Sequence, residues 1–238
     1  MPNVVADARK LIGRPDVRLV SLMDHTPGQR QFRDERKLRD YYRGKSGGMT
    51  DAELDVLFAR RLAYQAANAE ANFRALVDLA KAHGVPLASH DDTTLEHVRQ
   101  AVLDEVAIAE FPTTIEAAAA LHESGVRVLM GAPNLVRGAS HAGNVATAEL
   151  AAAGLLDVMS SDYMPASLLT AALRLPAVVP GIDLAAAIRT VTKTPAAAVR
   201  LDDRGEIAPG QRADLIQVRV AGEVPMVRRA WCAGARVA

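Results

Sequence analysis

Cysteine, aromatic residues, net charge and long apolar runs are all scarce in this sequence, and each scarcity removes a class of function. The one cysteine, Cys232, has no partner for a disulfide within the chain, a usage that fits a reducing compartment. Its packing preference makes it a small buried apolar residue. Aromatic residues are 4% of a chain that is 50% hydrophobic, so the core must be built mostly from Ala, Leu and Val. Lys and Arg number 28 against 28 Asp and Glu. That balance argues against a nucleic acid or a membrane surface as the main partner. Nowhere is there the run of ~20 apolar residues that a membrane span needs, and residues 1–16 lack the apolar centre of a secretion signal. A cytoplasmic protein is expected, with 238 residues enough to bury a core as one domain with a small appendage.

What is present begins with an apolar run over residues 17–23 that leads into Asp24 and His25, then a Thr-Pro-Gly turn, then Gln29 and Arg30. A strand that delivers an acid and an imidazole into a loop is how an α/β enzyme presents chemistry at the carboxyl end of its sheet. Residues 33–48, rich in Arg, Lys and Asp, read as a polar loop of the length that serves as a lid or stays unstructured. Thr50 and Glu53 match a capping box for a helix with Leu54, Leu57, Phe58 and Leu62 on one face, extending to Ala82 and ended by Gly84.

A rhythm of apolar strand, polar strand end and capped helix follows. Strands are expected at 85–89, 106–110, 126–130 and 155–161, and further capping boxes at Thr93 with Glu96 and at Thr113 with Glu116. After the strand at 126–130 the chain opens into Asn134 and a loop containing Arg137, Ser140, His141 and Asn144, and a helix over 145–153. Pro165 suits the first turn of the next helix, and short helices are expected at 183–190 and 195–199. Five strand-helix units in series make a parallel sheet, either doubly wound or a (β/α) barrel. The tail is turn-rich, with β-strands at 213–220 and 227–237. A division into residues 1–201 and a β appendage at 202–238 is expected.

Polar residues at strand carboxyl ends are the candidates for chemistry. They are Asp24, His25, His90, Asp91, Asp92, Glu110, Asn134, Arg137, Ser140, His141, Asn144 and Asp162. Imidazoles and carboxylates gathered from separate strands suit a divalent metal such as zinc or manganese. His90 reads as a metal ligand or base, and Asp162 as a site carboxylate, because an unpaired acid in a dry core is costly. His25 reads either as a ligand or as a support for its turn. Asp91 and Asp92 are alternatively solvated acids at a helix start. His83 is expected as a helix cap, and His97 and His122 as surface residues. The loop from Arg137 to Asn144, with two glycines and a helix start, suits phosphate. Arg30, Arg33 and Arg36 form either a second phosphate clamp or a solvated charge run.

Several stretches together resemble the amidohydrolase superfamily, in particular its member in the carbon-phosphorus lyase pathway. They are SLMDHTPGQRQF at 21–32, ASHDDTT at 88–94, EFPTT at 110–114, GAPNLVRGASHAGN at 131–144 and SSDYMPASLL at 160–169. VTKTPAAAVRL at 191–201 and RGEIAPGQRADLI at 204–216 are similar to the segment that leaves the superfamily's barrel and enters a β-sandwich. The resemblance implies a bacterial hydrolase that uses metal-activated water to release pyrophosphate from a ribose 1-alkylphosphonate 5-triphosphate. It implies His25, His90 and Asp162 as metal ligands, Asp162 also as the group that takes the proton of water, and Arg137, His141 and Asn144 as contacts to the polyphosphate; from their own positions, Arg30 and Asn134 are further expected contacts to the phosphorylated substrate. The superfamily also carries a histidine pair on its first strand, and nothing of that kind lies between Met1 and Asp16. The expectation is therefore an incomplete (β/α)8 barrel of about five units, prone to self-association or to pairing with a missing amino-terminal segment. Competing expectations are a catalytically incomplete or complementing subunit, and a hydrolase acting on an amide or amine.

Overall fold

The computed structural model describes residues 3–30, 35–45, 48–140 and 143–238. Its centre is a sheet of five strands in chain order, β1 (Val20–Leu22), β2 (Leu87–His90), β3 (Ile108–Glu110), β4 (Arg127–Gly131) and β5 (Val158–Ser160). Every neighbouring pair is parallel, with Ser21 opposite Ala88, His90 opposite Glu110 and Met130 opposite Met159. The short apolar runs of the sequence become these strands because a parallel strand is covered on both faces. One face carries Ala88, Ile108, Leu129 and Val158. The other packs Leu87, Ala109, Val128 and Met130 against the helices that connect the strands.

Those helices are α3 (Asp51–Ala82), α4 (Leu95–Leu103), α5 (Ile115–Glu123) and α7 (Thr147–Ala152). Their inward residues, among them Ala80, Ala101, Ala117, Ala118 and Leu150, are buried. Alanine lets helix backbones sit close to the sheet, which is how a core with few rings fills its space. Before the sheet, α1 (Val4–Leu11) packs on α3. After β4 and β5 come α6 (Ala132–Arg137), α8 (Ser167–Val178), α9 (Leu184–Arg189) and α10 (Lys193–Ala198). A separate antiparallel sheet, β6 (Leu215–Ala221), β7 (Val224–Cys232) and β8 (Ala235–Arg236), closes the chain. This is the partial barrel with a β appendage that the sequence predicts.

Local expectations fared unevenly. Thr50 does cap α3: its hydroxyl accepts from the Glu53 amide at 3.3 Å while the Glu53 carboxylate accepts from the Thr50 amide at 2.8 Å. The other two caps lie one residue later, at Thr94 and Thr114. Thr93 and Thr113 are drawn instead into a tertiary network, with Thr93 Oγ1 donating to the Asp91 carbonyl and Thr113 Oγ1 to Thr93 Oγ1.

The expected polar loop at 33–48 contains a helix, α2 (Glu35–Lys45). Leu38 and Tyr42, four apart and so on one helix face, are buried against Leu54 and Phe58 of α3. Arg39 and Arg43 reach Asp51 and Asp55 at the start of α3. Helix α7 starts two residues later than expected, and α8 starts beyond Pro165. The second tail strand is split at Ala233 and Gly234, whose φ of 49 and 82 make a hairpin turn. Cys232 is exposed, accepting from Arg212 Nη2 at 3.3 Å, rather than buried. Replacing Thr50 with Ala should lower stability by about 1 kcal/mol, read as a shift of the urea midpoint. An unchanged midpoint would show that α2 and α3 hold together without the cap.

Candidate metal centre

Two strand ends build the centre. Asp24 follows β1 and secures its own turn, its Oδ1 accepting from the Thr26 amide at 2.9 Å and its Oδ2 from Gln65 of α3 at 3.1 Å. The turn is thus held by Asp24, and the next residue, His25, is directed at β2. There His90 Nδ1–H donates to Asp91 Oδ2 at 2.7 Å, and His25 Nε2 lies 3.4 Å from the same oxygen. The two imidazole rings meet edge to face at 4.9 Å, and Phe111 backs His90 at 5.1 Å. Candidate ligand atoms of His25, His90 and Asp91 all lie within 4.8 Å of one another.

Asp91 adopts φ 56, in the left-handed region, as do Phe111 after β3 and Asp162 after β5. Such conformations cost free energy and persist where the surroundings hold them. Here the neighbouring strand does so, with the Asp91 amide donating to the Glu110 carbonyl and the Phe111 amide to the Leu129 carbonyl, each at 2.8 Å.

Asp91 and Asp92 are 4% and 0% exposed, so they are not the solvated helix-start acids of one sequence reading. Burial alone would raise the Asp91 carboxyl, but the hydrogen bonds from His25 and His90 outweigh it and hold the group below the usual range. Asp92 goes the other way. Burial raises it, and the Ser89 hydroxyl and the Arg30 charge offset only part of that. Arg30 Nη1 meets Asp92 Oδ1 at 2.5 Å and also the His90 carbonyl at 3.4 Å. Beside this pair, a cavity of about 470 Å³ lies between β1, β2, α3 and α4.

His97 lines that cavity and is half-buried, not a surface residue. Its Nδ1 accepts from the Thr93 amide at 3.1 Å, and burial lowers its pKa. A histidine lowered on folding contributes stability that is full above the ordinary value of 6.5 and is lost as pH falls below it toward the folded value. His97→Asn keeps an acceptor in that place without titrating. It should lose less melting temperature than the wild type between pH 7 and about pH 5, and equal losses would remove His97 as the cause.

The remaining candidates are placed as follows. Asp162 is exposed at the end of β5 and is not part of the His25, His90, Asp91 group. Its Oδ2 would lie 3.4 Å from a Cβ on Gly131, next to Phe111. Glu110 accepts from the Ser21 hydroxyl across β2. Asn134 lies within α6, where its Oδ1 accepts from the Thr147 amide at 3.0 Å and caps α7. Arg137 is exposed, donating to the Ala139 carbonyl at 3.4 Å. Asn144 precedes α7 by more than a cap position, so it is not at that helix start. Arg33 and His141 lie outside the described residues. His83 is the C-cap residue of α3, and His122 is 3.7 Å from Asp157.

Asp91 is the member that sequence reasoning missed as a third ligand. The available signal was its place beside His90 in a Ser-His-Asp-Asp run at a strand end. Two imidazoles and one carboxylate that converge, His90 and Asp91 buried and His25 exposed, are donors that zinc or manganese accepts. Bonds of about 2.0–2.2 Å require the three groups to close only slightly, so the residues fit such an ion.

Comparisons with known proteins bear on the family and the fold. Alpha-D-ribose 1-methylphosphonate 5-triphosphate diphosphatase of Escherichia coli (strain K12) is 48% identical over 229 residues, covering 96% of this chain and 60% of that protein. The chain thus spans 60% of that relative's length. Among solved structures, Aspergillus niger ochratoxinase superposes with a TM-score of 0.53 at 15% identity, over 69% of this chain and 44% of that one. An uncharacterized protein does so with a TM-score of 0.53 at 24% identity, over 70% and 48%. At such identities these two establish a shared fold alone. A model of the amidohydrolase family matches residues 25–236, the stretch that contains His25, His90, Asp91 and Asp162, and this chain belongs to that family.

Proposed function

We propose that this chain is the larger part of a metal-dependent hydrolase that releases pyrophosphate from alpha-D-ribose 1-methylphosphonate 5-triphosphate. The observation that carries the reading is the His25, His90 and Asp91 group at the carboxyl ends of β1 and β2, in a chain 48% identical to the E. coli diphosphatase. His25 and His90 would hold a zinc or manganese ion, with Asp91 or Asp162 as acidic ligand. When bound, that ion supplies an activated water and neutralises charge on a phosphoryl oxygen.

The chain's own residues do the rest. Asp91 fixes the two imidazoles by accepting from both, which sets their orientation. Phe111 packs edge to face against the His90 ring. Asp162, at the neighbouring end of the sheet, takes the proton of the attacking water. Arg137, His141 and Asn144 would contact the polyphosphate. Asn134 and Arg30 act behind it, Asn134 by capping α7 and Arg30 by holding Asp92. The reading includes a bacterial, cytoplasmic enzyme of phosphonate use that binds neither nucleic acid nor membrane. The balanced charge favours the absence of a nucleic-acid partner, and among the described residues no helix is long and apolar enough to cross a membrane.

The test is pyrophosphate release from alpha-D-ribose 1-methylphosphonate 5-triphosphate by the complete gene product, with metal content measured on the same sample. Stoichiometric metal without pyrophosphate release would overturn the phosphoanhydride reaction while leaving the metal centre in place.

A further inference from the structure

The charges of the chain balance overall, 28 against 28, but not on the β appendage. From Leu215 to Ala238 the sequence has four arginines, Arg219, Arg228, Arg229 and Arg236, against one acid, Glu223, in the turn between β6 and β7. The strand register gathers these cations. Antiparallel pairing sets Gln217 opposite Arg229, Arg219 opposite Met226 and Trp231 opposite Arg236, and residues that are paired, or two apart on one strand, share a face. The other face takes Ile216, Val218, Val220, Val227 and Ala230, all apolar.

In a regular strand Arg228 would point away from Arg229. The pairing is interrupted there: Arg229 opposes Gln217 and Val227 opposes Val218, so Arg228 is the extra residue of a β-bulge, a device that re-aims a side chain. The result is a recess of about 370 Å³ lined by Gln217, Val218, Arg219, Arg228, Arg229 and Arg236.

Neighbouring cations are neutralised within the chain. Arg204 and Arg212, just before β6, meet Asp203 and Asp214, and Lys193 meets Glu206. Among the described residues, by contrast, Arg219, Arg228 and Arg229 take part in no ion pair, while Arg236 Nε donates to the Ala238 carbonyl at 3.1 Å. Like charges held together repel, and a bridging anion relieves that repulsion. Guanidinium forks bind phosphate oxygens in pairs, and linked phosphates offer enough oxygens for several forks at once. The recess lies at the lower end of small-molecule pockets, ~300–1,000 Å³. Its lining has no aromatic ring on which a nucleobase could stack. Both features favour a small polyanion over a nucleic acid.

We infer that the arginine face of β6, β7 and β8 is a binding site for a small, multiply phosphorylated anion. This site stands whichever reaction the metal centre carries out.

The probe is methylenediphosphonate, whose P–C–P link a phosphoanhydride hydrolase cannot split, titrated calorimetrically into the metal-loaded complete gene product. The wild type is compared with Arg219→Gln plus Arg229→Gln, with Arg219→Lys plus Arg229→Lys, and with Arg99→Gln on α4. Losing each charge-assisted contact should weaken binding about tenfold, and so about a hundredfold in the glutamine pair. The lysine pair keeps charge without the fork and should fall between the two. Arg99→Gln should match the wild type. Phenylglyoxal labelling read by peptide mass spectrometry locates the site, since the probe should protect Arg219, Arg228 and Arg229 but not exposed Arg99. Equal affinity in the wild type and the glutamine pair would overturn the site, as would arginines left unprotected by the probe; binding would then be at the metal centre or absent. An RNA oligonucleotide that protects these arginines where the probe does not would overturn the small-anion assignment in favour of a nucleic acid.

Discussion

Asp162→Asn in the complete gene product is expected to lower kcat for pyrophosphate release by about 10²–10⁴-fold, the range that general acid-base catalysis contributes. The substitution isolates chemistry from folding. Asp162 is exposed and sits at φ 48, a conformation that asparagine adopts more readily than most residues. Size and backbone are kept, and only the ability to take a proton and carry charge is lost. Because Asp162 stands apart from the His25, His90 and Asp91 group, metal content should fall much less than turnover if it acts as the base. A parallel loss of metal would make it a ligand first. Activity within about threefold of the wild type, far below the contribution of a catalytic base, would sink both roles.

Arg30→Met is expected to destabilise the fold by about 3 kcal/mol, at the lower end of the range for breaking a buried pair. Asp92 is 0% exposed, and without Arg30 its remaining side-chain partner is the Ser89 hydroxyl at 2.5 Å. The Arg30 side chain is itself 27% exposed, which places the cost at the lower end. Arg30→Met with Asp92→Asn should recover part of the loss, since the buried charge is then gone. The Asp92 carboxyl is already raised by burial, so losing Arg30 raises it further. Protonation on acidification then relieves the strain, and the deficit of the single variant should shrink as pH falls. Urea denaturation at neutral and mildly acidic pH checks both statements. A deficit under about 1 kcal/mol, typical of an exposed pair, would leave Arg30 free for the substrate-contact role that its sequence context suggested.

The sheet was legible in the sequence because parallel strands are buried on both faces and therefore appear as uninterrupted apolar runs. The long helix was legible from Thr50 and Glu53, a cap whose two partners are three residues apart. Helix α2 was harder to see, since its residues are mostly charged. What stabilises it is the seating of Leu38 and Tyr42 on Leu54 and Phe58, together with the ion pairs from Arg39 and Arg43. The Thr-Thr pairs were misread by one residue for a similar reason. Thr93 and Thr113 hydrogen-bond to each other across 20 residues, leaving the second threonine of each pair to cap its helix.

The site divides along the same line. Composition and local pattern alone determined that His25, His90 and Asp162 stand at strand ends, because strand length and turn residues are properties of a few neighbouring positions. Tertiary structure decided which of them meet. The parallel register that sets Leu22 opposite Ser89 brings His25 onto an oxygen of Asp91, 66 residues later in the chain, and leaves Asp162 beside Gly131. The same packing commits Arg30 to Asp92 and Asn134 to Thr147. Such pairings depend on how strands align and helices cover them, and no short stretch of sequence encodes that distance.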